Sequence, residues 1–199
     1  MKKGFYIMLE GGEGCGKDSH AKALIPFFKE KGYGVTLTKE PDGIISKVLK
    51  DKNNNFFPLE ELFLFEADRA KNYREIVKPS LDLGKIVIKT RGWPSTLAYQ
   101  GFAGSLDMNL IYQLNKIATQ NIMPDLLIIL DVNARKGLEK EVAPDRFAEK
   151  GLNYHEKVNK AYRVIAEHYP DISVVVPYIE NGFDEMQKQI RNEMLKLMK

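Results

Sequence analysis

Phe5-Tyr6-Ile7-Met8-Leu9-Glu10-Gly11-Gly12-Glu13-Gly14-Cys15-Gly16-Lys17-Asp18-Ser19 decides the fold. Residues 5–9 form a short, wholly apolar run, as expected of a strand buried on both faces of a parallel sheet. Gly11 to Lys17 then fits G-x-x-x-x-G-K, and helical periodicity starts at Lys17. Strand, glycine loop and helix in that order form the context in which the motif cradles phosphate. Glycines let backbone N–H groups turn inward around phosphate oxygens. The helix N-terminus adds its positive dipole end, and Lys17 reaches the outer phosphates.

Outward from this stretch, strands and helices alternate. The patterning predicts a helix over 17–31 with a kink at Pro26, a strand over 35–38, and a long helix from Pro58 to 77, ending before Pro79. A strand follows over 85–89, a helix over 106–122, and a strand over 126–132. A charged, proline-broken loop or lid spans 139–149, and then come a helix over 152–169, a strand over 172–176 and a closing helix over 180–198. Five short strands alternating with helices imply an α/β fold of the P-loop NTPase type. This is a three-layer sandwich with a five-stranded parallel sheet flanked by helices and carrying a short lid. The expectation is one kinase-sized domain over 1–199. Ligands of such sheets sit beyond the carboxyl ends of the strands.

Composition narrows the partners. The chain has 199 residues, 44% hydrophobic and 29% charged, with a net charge of +3. No run of like charge suggests a nucleic-acid or membrane partner. No apolar stretch approaches the roughly 20 residues of a membrane span, and a cytoplasmic location is the expectation. The single cysteine, Cys15, excludes an intramolecular disulfide. Its place at a helix N-terminus predicts a reactive thiol whose modification ATP would block.

Six segments, in order and properly spaced, resemble the thymidylate kinase family over nearly the whole chain. They are the phosphate loop led by Met8-Leu9-Glu10, Lys39-Glu40-Pro41-Asp42-Gly43, Glu61 to Ala70, Ser95 to Gly101, Pro124 to Val132, and Asp145-Arg146-Phe147. The Pro79-to-Gly84 turn matches as well. The resemblance implies transfer of the terminal phosphate of ATP to dTMP with Mg²⁺, in a homodimer, with ATP and dTMP as partners. It implies an ATP site of Gly11, Gly12, Glu13, Gly14, Cys15, Gly16, Lys17, Asp18 and Ser19. It also implies an acceptor site of Glu13, Pro41, Phe65, Arg69, Arg91, Thr96 and Tyr99. Phe65 would stack on thymine, Arg69 grip the monophosphate, Thr96 read the base, and Tyr99 lie beneath the sugar. Phe65 and Arg69, spaced i and i+4, share a helix face. Lys17, Arg91 and a lid cation would be catalytic, with Arg146 favoured over Lys140 and with Arg135 and Lys136 behind. The lid is expected over 134–150. Trp93 is expected to pack over the acceptor pocket, and His155 and His168 to lie on the surface.

The metal site departs from the family pattern. Asp18 stands where the family has a Ser or Thr hydroxyl, and Thr90 stands where an Asp commonly precedes the catalytic Arg. A bare carboxylate about 4 Å from a phosphate charge costs on the order of 4 kcal/mol at a surface-like dielectric. Asp18 therefore points away or holds Mg²⁺, and the hypothesis here is that it has taken over the carboxylate duty lost at position 90. Two other readings remain: a nucleotide-binding protein with little turnover, and a kinase for another monophosphate such as dUMP.

Overall fold

The computed structural model describes residues 3–140 and 145–198. Five strands, β1 (Tyr6–Glu10), β2 (Val35–Lys39), β3 (Ile86–Thr90), β4 (Leu126–Asp131) and β5 (Ser173–Pro177), form one parallel sheet in the order β2-β3-β1-β4-β5. Every pairing is parallel, with Met8 beside both Lys89 and Leu127. β1 is central and wholly buried, as its uninterrupted apolar run requires.

Side chains alternate across the sheet and build two cores. Ile7, Leu9, Ile86, Ile88, Ile128 and Leu130 face α1 (Lys17–Glu30) and α9 (Phe183–Leu197). Tyr6, Met8, Val87, Leu127 and Ile129 face α3 (Pro58–Asn72), α6 (Met108–Ala118) and α8 (Leu152–His168). Between these lie the short helices α2 (Gly43–Lys50), α4 (Lys78–Asp82), α5 (Trp93–Thr96) and α7 (Ala134–Glu139). A 3-10 turn covers Ala148–Lys150.

The five strands match the expected ones to within a residue or two at each end. The helices differ more. α1 runs through Pro26 without a break. The helix expected to stop at Pro79 instead widens into a π-turn, Tyr73–Val77, and continues as α4 with Pro79 in its first turn, where the missing N–H costs nothing. α2 was not among the expected helices: Ile44, Ile45, Val48 and Leu49 recur at helical spacing, but over only eight residues. Residues 93–103 are also helical, through α5 and a π-turn Leu97–Ala103. The first part of the lid expected over 134–150 is helix α7. Residues 141–144 of that lid lie outside the described residues.

Candidate active site

The phosphate loop joins β1 to α1 at the carboxyl edge of the sheet. Gly14 and Gly16 have φ of 63° and 83°, and Gly16 is the N-cap of α1. A Cβ on Gly14 would lie 2.0 Å from the Gly137 carbonyl oxygen, and one on Gly12 would lie 2.2 Å from Asn159 Oδ1. The loop is thus clamped from behind by α7 and α8, and Gly137 answers the close approach with a missing side chain of its own. Lys17 is buried, and its Nζ donates to the Gly12 carbonyl at 3.1 Å.

Two clefts meet here. The phosphate cleft is lined by Glu13, Gly14, Gly16, Lys17, Asp18 and Ser19 from the loop, by Lys39 and Thr90 from the strand ends, and by Lys140. The second cleft is walled by Phe65, Tyr99 and Phe147, with Arg69, Thr96 and Gln100 at its polar points. Glu13, Glu40, Pro41, Lys50, Arg91 and Asp145 line both. Arg91 therefore stands where the clefts join.

Arg91 is placed by its backbone. Its φ of 62° is left-handed, a conformation that costs a side-chain-bearing residue roughly 1–2 kcal/mol. Its N–H is held by the Leu9 carbonyl at 3.2 Å. The guanidinium Nη2 donates to both oxygens of Glu13 at 3.0 and 2.9 Å. Tyr99 donates its hydroxyl to the same carboxylate at 2.8 Å. Burial alone would raise the Glu13 carboxyl, but Arg91 and then Lys17 hold it well below the ordinary range. Burial, reinforced by the Glu13 charge, keeps the Tyr99 phenol protonated as a donor. The carboxylate that looked out of place in a phosphate loop is the anchor for Arg91.

Behind this trio lies Glu10, fully buried. It accepts from the Gly92 N–H at 2.7 Å, from the Ser95 hydroxyl at 2.8 Å, and from the Tyr162 hydroxyl at 3.0 Å. Burial raises its carboxyl pKa, with the Ser95 hydrogen bond and Arg91 pulling the other way. Glu10 is a site residue that the motifs alone did not single out. Its signal was a lone carboxylate closing an apolar strand.

The remaining predicted residues divide. Pro41, Phe65, Thr96 and Tyr99 line the second cleft as expected. Arg69 lines it too, but not as a free phosphate clamp. Its Nε donates to Glu40 at 2.9 Å and its Nη1 to Glu66, Asn115 (2.6 Å) and Thr96 (3.2 Å). Its Nη2 donates to the Gly92 carbonyl at 2.9 Å. Two carboxylates already match its charge. Of the loop residues, Gly11, Gly12 and Cys15 support rather than line. Cys15 is 1% exposed with its sulfur in the α1 core, so the expected reactive thiol is corrected to a buried packing group.

Arg146, expected as the catalytic lid cation, lines neither cleft. Its Nη1 donates to Glu61 at 2.7 Å, its Nε to the Leu49 carbonyl, and it packs over Phe147. The buried Glu61 carboxylate demands that partner, together with Lys150 at 3.0 Å. The lid cation that does line the phosphate cleft is Lys140, which donates to the Tyr178 hydroxyl. Arg135 and Lys136 are exposed on α7, Lys136 pairing with Glu180 at 3.0 Å. Lys50 and Phe147, which line the clefts, had no assigned role. Trp93 is 3% exposed and packs edge-on against Tyr169, not over the acceptor cleft. His155 is 2% exposed and bonds the Phe147 carbonyl through Nε2 at 3.0 Å, so only His168 is a surface histidine.

A divalent cation would find hard oxygen donors here. Asp18 and Ser19 are exposed and line the phosphate cleft beside the buried Thr90. Among the described residues no group of three or more His, Cys, Asp or Glu side chains could hold a metal. That donor set suits Mg²⁺, which binds through one or two carboxylates plus phosphates and water.

Known proteins fit this geometry. A family model described as thymidylate kinase matches residues 9–190. A thymidylate kinase of Dehalococcoides mccartyi is 40% identical over 174 residues, covering 83% of this chain and 84% of its own. One from Halothermothrix orenii is 35% identical over 203 residues, covering 96% and 97%. The crystal structure of thymidylate kinase from Ehrlichia chaffeensis superposes with a TM-score of 0.79 at 27% identity, covering 96% of this chain and 98% of that one. The sheet and loop described above are the P-loop NTPase fold of that structure.

Proposed function

The chain belongs to the thymidylate kinase family, and from that premise we propose how its two clefts divide the work of phosphorylating dTMP. It is a nucleoside monophosphate kinase that moves the terminal phosphate of ATP onto dTMP, giving ADP and dTDP. The single observation that carries the division of roles is the shared wall. Arg91 lines both clefts, with the phosphate loop on one side and the aromatic slot of Phe65, Tyr99 and Phe147 on the other.

ATP phosphates lie against the loop amides and Lys17. The thymine lies in the aromatic slot, where Thr96 and Arg69 meet its polar edge. Arg69, already matched by Glu40 and Glu66, suits a neutral carbonyl oxygen better than a dianion. Arg91 and Lys50 face the acceptor phosphate. The acceptor oxygen is ionised at neutral pH, so no protein nucleophile or base is needed. Catalysis is positioning and charge stabilisation. Arg91 turns from Glu13 toward the phosphoryl group as charge shifts between oxygens. Lys140 adds a cation from the lid side, and closure excludes water. Tyr99, fixed beneath the sugar by Glu13, leaves no space for a 2′-hydroxyl.

Asp18 and Ser19 would hold Mg²⁺ with the ATP phosphates. The ion, when bound, neutralises phosphate charge. Asp18 supplies there the carboxylate that position 90 lacks. The enzyme acts as a homodimer in the cytoplasm. A second copy is supported by exposed apolar side chains on adjoining helices, Phe63 (54% exposed) on α3 and Ile117 (73%) on α6. No helix among the described residues is long and apolar enough to cross a membrane. The other two readings, a binding protein without turnover and a kinase for another acceptor, gain no support from the family or the site.

The test is relative turnover with ATP and Mg²⁺ across dTMP, dUMP, dCMP, dAMP and dGMP. The assignment expects dTMP to lead by an order of magnitude or more in kcat/KM. Equal rates across pyrimidines would overturn the assignment of Thr96 and Arg69 to the base.

A further inference from the structure

Lys89 sits near the carboxyl end of β3, the neighbour of the central strand β1, with no exposed surface. A lysine is almost never fully buried unless paired. Its ammonium donates to Glu40 and, at 2.5 Å, to Asn72 Oδ1, and lies 4.7 Å from the Tyr73 ring centre. Glu40 is itself 3% exposed. One of its oxygens takes Lys89, and the other takes Arg69 Nε at 2.9 Å. Glu40 lines both clefts, whereas Lys89 lines none of those described.

The ion-paired side chains here are two and two: Glu40 and Glu66 are the anions, and Arg69 and Lys89 the cations. The buried Asp68 carboxyl lies near enough to act on both Glu40 and Lys89. Without Lys89 the cluster would carry one more negative charge at the wall of a cleft that must admit a monophosphate. Glu40, released on one side, would also be free to take Arg69 with both oxygens and draw it back from the cleft. Burial lowers the Lys89 pKa, while the Glu40 charge acts to raise it.

We infer that Lys89 is a positioning residue for acceptor binding: from within the sheet it balances and orients Glu40, so that Arg69 and the cleft wall can receive the nucleoside monophosphate. The inference rests on the reading of the second cleft as the dTMP site.

The experiment is calorimetric binding of dTMP, and separately of ATP, to wild type, Lys89→Met, Lys89→Arg and the double variant Glu40→Gln/Lys89→Met. Lys89→Met is expected to weaken dTMP on the order of tenfold, the effect of a single charge about 10 Å away at a surface-like dielectric, while ATP changes by less than about threefold. Lys89→Arg, which keeps the charge, recovers part of the loss. The double variant removes one anion together with one cation and binds dTMP more tightly than Lys89→Met, though below wild type because Glu40 also holds Arg69; loss of packing alone would not produce that order. Should Lys89→Met not fold, Lys89→Arg and the double variant carry the test: Lys89→Arg binding dTMP at least about threefold more tightly than the double variant supports the inference, and equal binding by the two overturns it. Unchanged dTMP binding in a folded Lys89→Met, or a double variant as weak as the single one, also overturns it. A wild type with no affinity for dTMP overturns the reading of the cleft, and the inference with it.

Discussion

Arg91→Met separates what the junction arginine does for the fold from what it does for the reaction. The Arg91–Glu13 contact is largely buried, with side-chain exposures of 28% and 10%. Removing one partner of such a pair leaves an uncompensated carboxylate and costs about 3–5 kcal/mol. Tyr99 still donates to Glu13 at 2.8 Å, so the lower end applies. At roughly 2–4 °C per kcal/mol for a chain of this size, the melting temperature should fall by about 10 °C. The kinetic loss is of another kind. An arginine that stabilises a transferring phosphoryl group is worth about a thousandfold or more in kcat. The double variant Glu13→Gln/Arg91→Met distinguishes the two. It removes both charges and keeps an acceptor for Tyr99, so most of the stability should return, followed by thermal melting. Turnover, followed by coupled ADP release, should stay at the single-variant level. Recovery of turnover in the double variant would refute the reasoning, because Arg91 would then have served only to neutralise Glu13.

Three further outcomes follow from the geometry. Gly14→Ala must place a Cβ 2.0 Å from the Gly137 carbonyl at a φ of 63°; the loop must move by about 1.4 Å or more to reach ordinary contact. ATP affinity measured by calorimetry should drop by at least about tenfold, with dTMP affinity less affected. Cys15, 1% exposed, should not react with a thiol-specific chromogenic reagent until the protein unfolds, with or without ATP. Asp68, its carboxyl raised to about 6 by burial, with the Asp42 N–H acting the other way, binds its proton more tightly folded than unfolded. Its stabilising effect is therefore present below about pH 4 and is lost as pH rises to about 6, a change of up to about 3 kcal/mol. Asp68→Asn does not titrate and still accepts from Asp42, so its melting-temperature difference from wild type should grow in the variant's favour between pH 4 and 6 and stay level above.

The strands were legible because β1, β3 and β4 are buried on both faces and carry unbroken apolar runs. The phosphate loop was legible because its glycines and Lys17 follow β1 without a gap. α2 was not, since the helical spacing of Ile44, Ile45, Val48 and Leu49 spans only eight residues and leaves Ile44 exposed. The helical turns after Arg91 were hidden by Gly92 and Pro94, which read as a break but lie at the N-cap and first turn of α5. Type and spacing put Phe65 and Tyr99 at the second cleft, and both side chains line it. Type and spacing did not reveal the charges that meet the arginines. Arg146 is taken by Glu61 and Arg69 by Glu40 and Glu66, carboxylates distant from them in sequence or counted only as motif letters. Lys89 gave no warning, because a lysine between Ile88 and Thr90 reads as a strand end rather than as the buried partner of Glu40.

The most direct test of the central claim follows the phosphate itself. With ATP labelled at its terminal phosphate, Mg²⁺ and dTMP, the label should appear in dTDP one for one with ADP and hardly at all as free phosphate. Label released as inorganic phosphate, or none transferred by a folded enzyme that binds both nucleotides, would contradict the account of two clefts joined at Arg91.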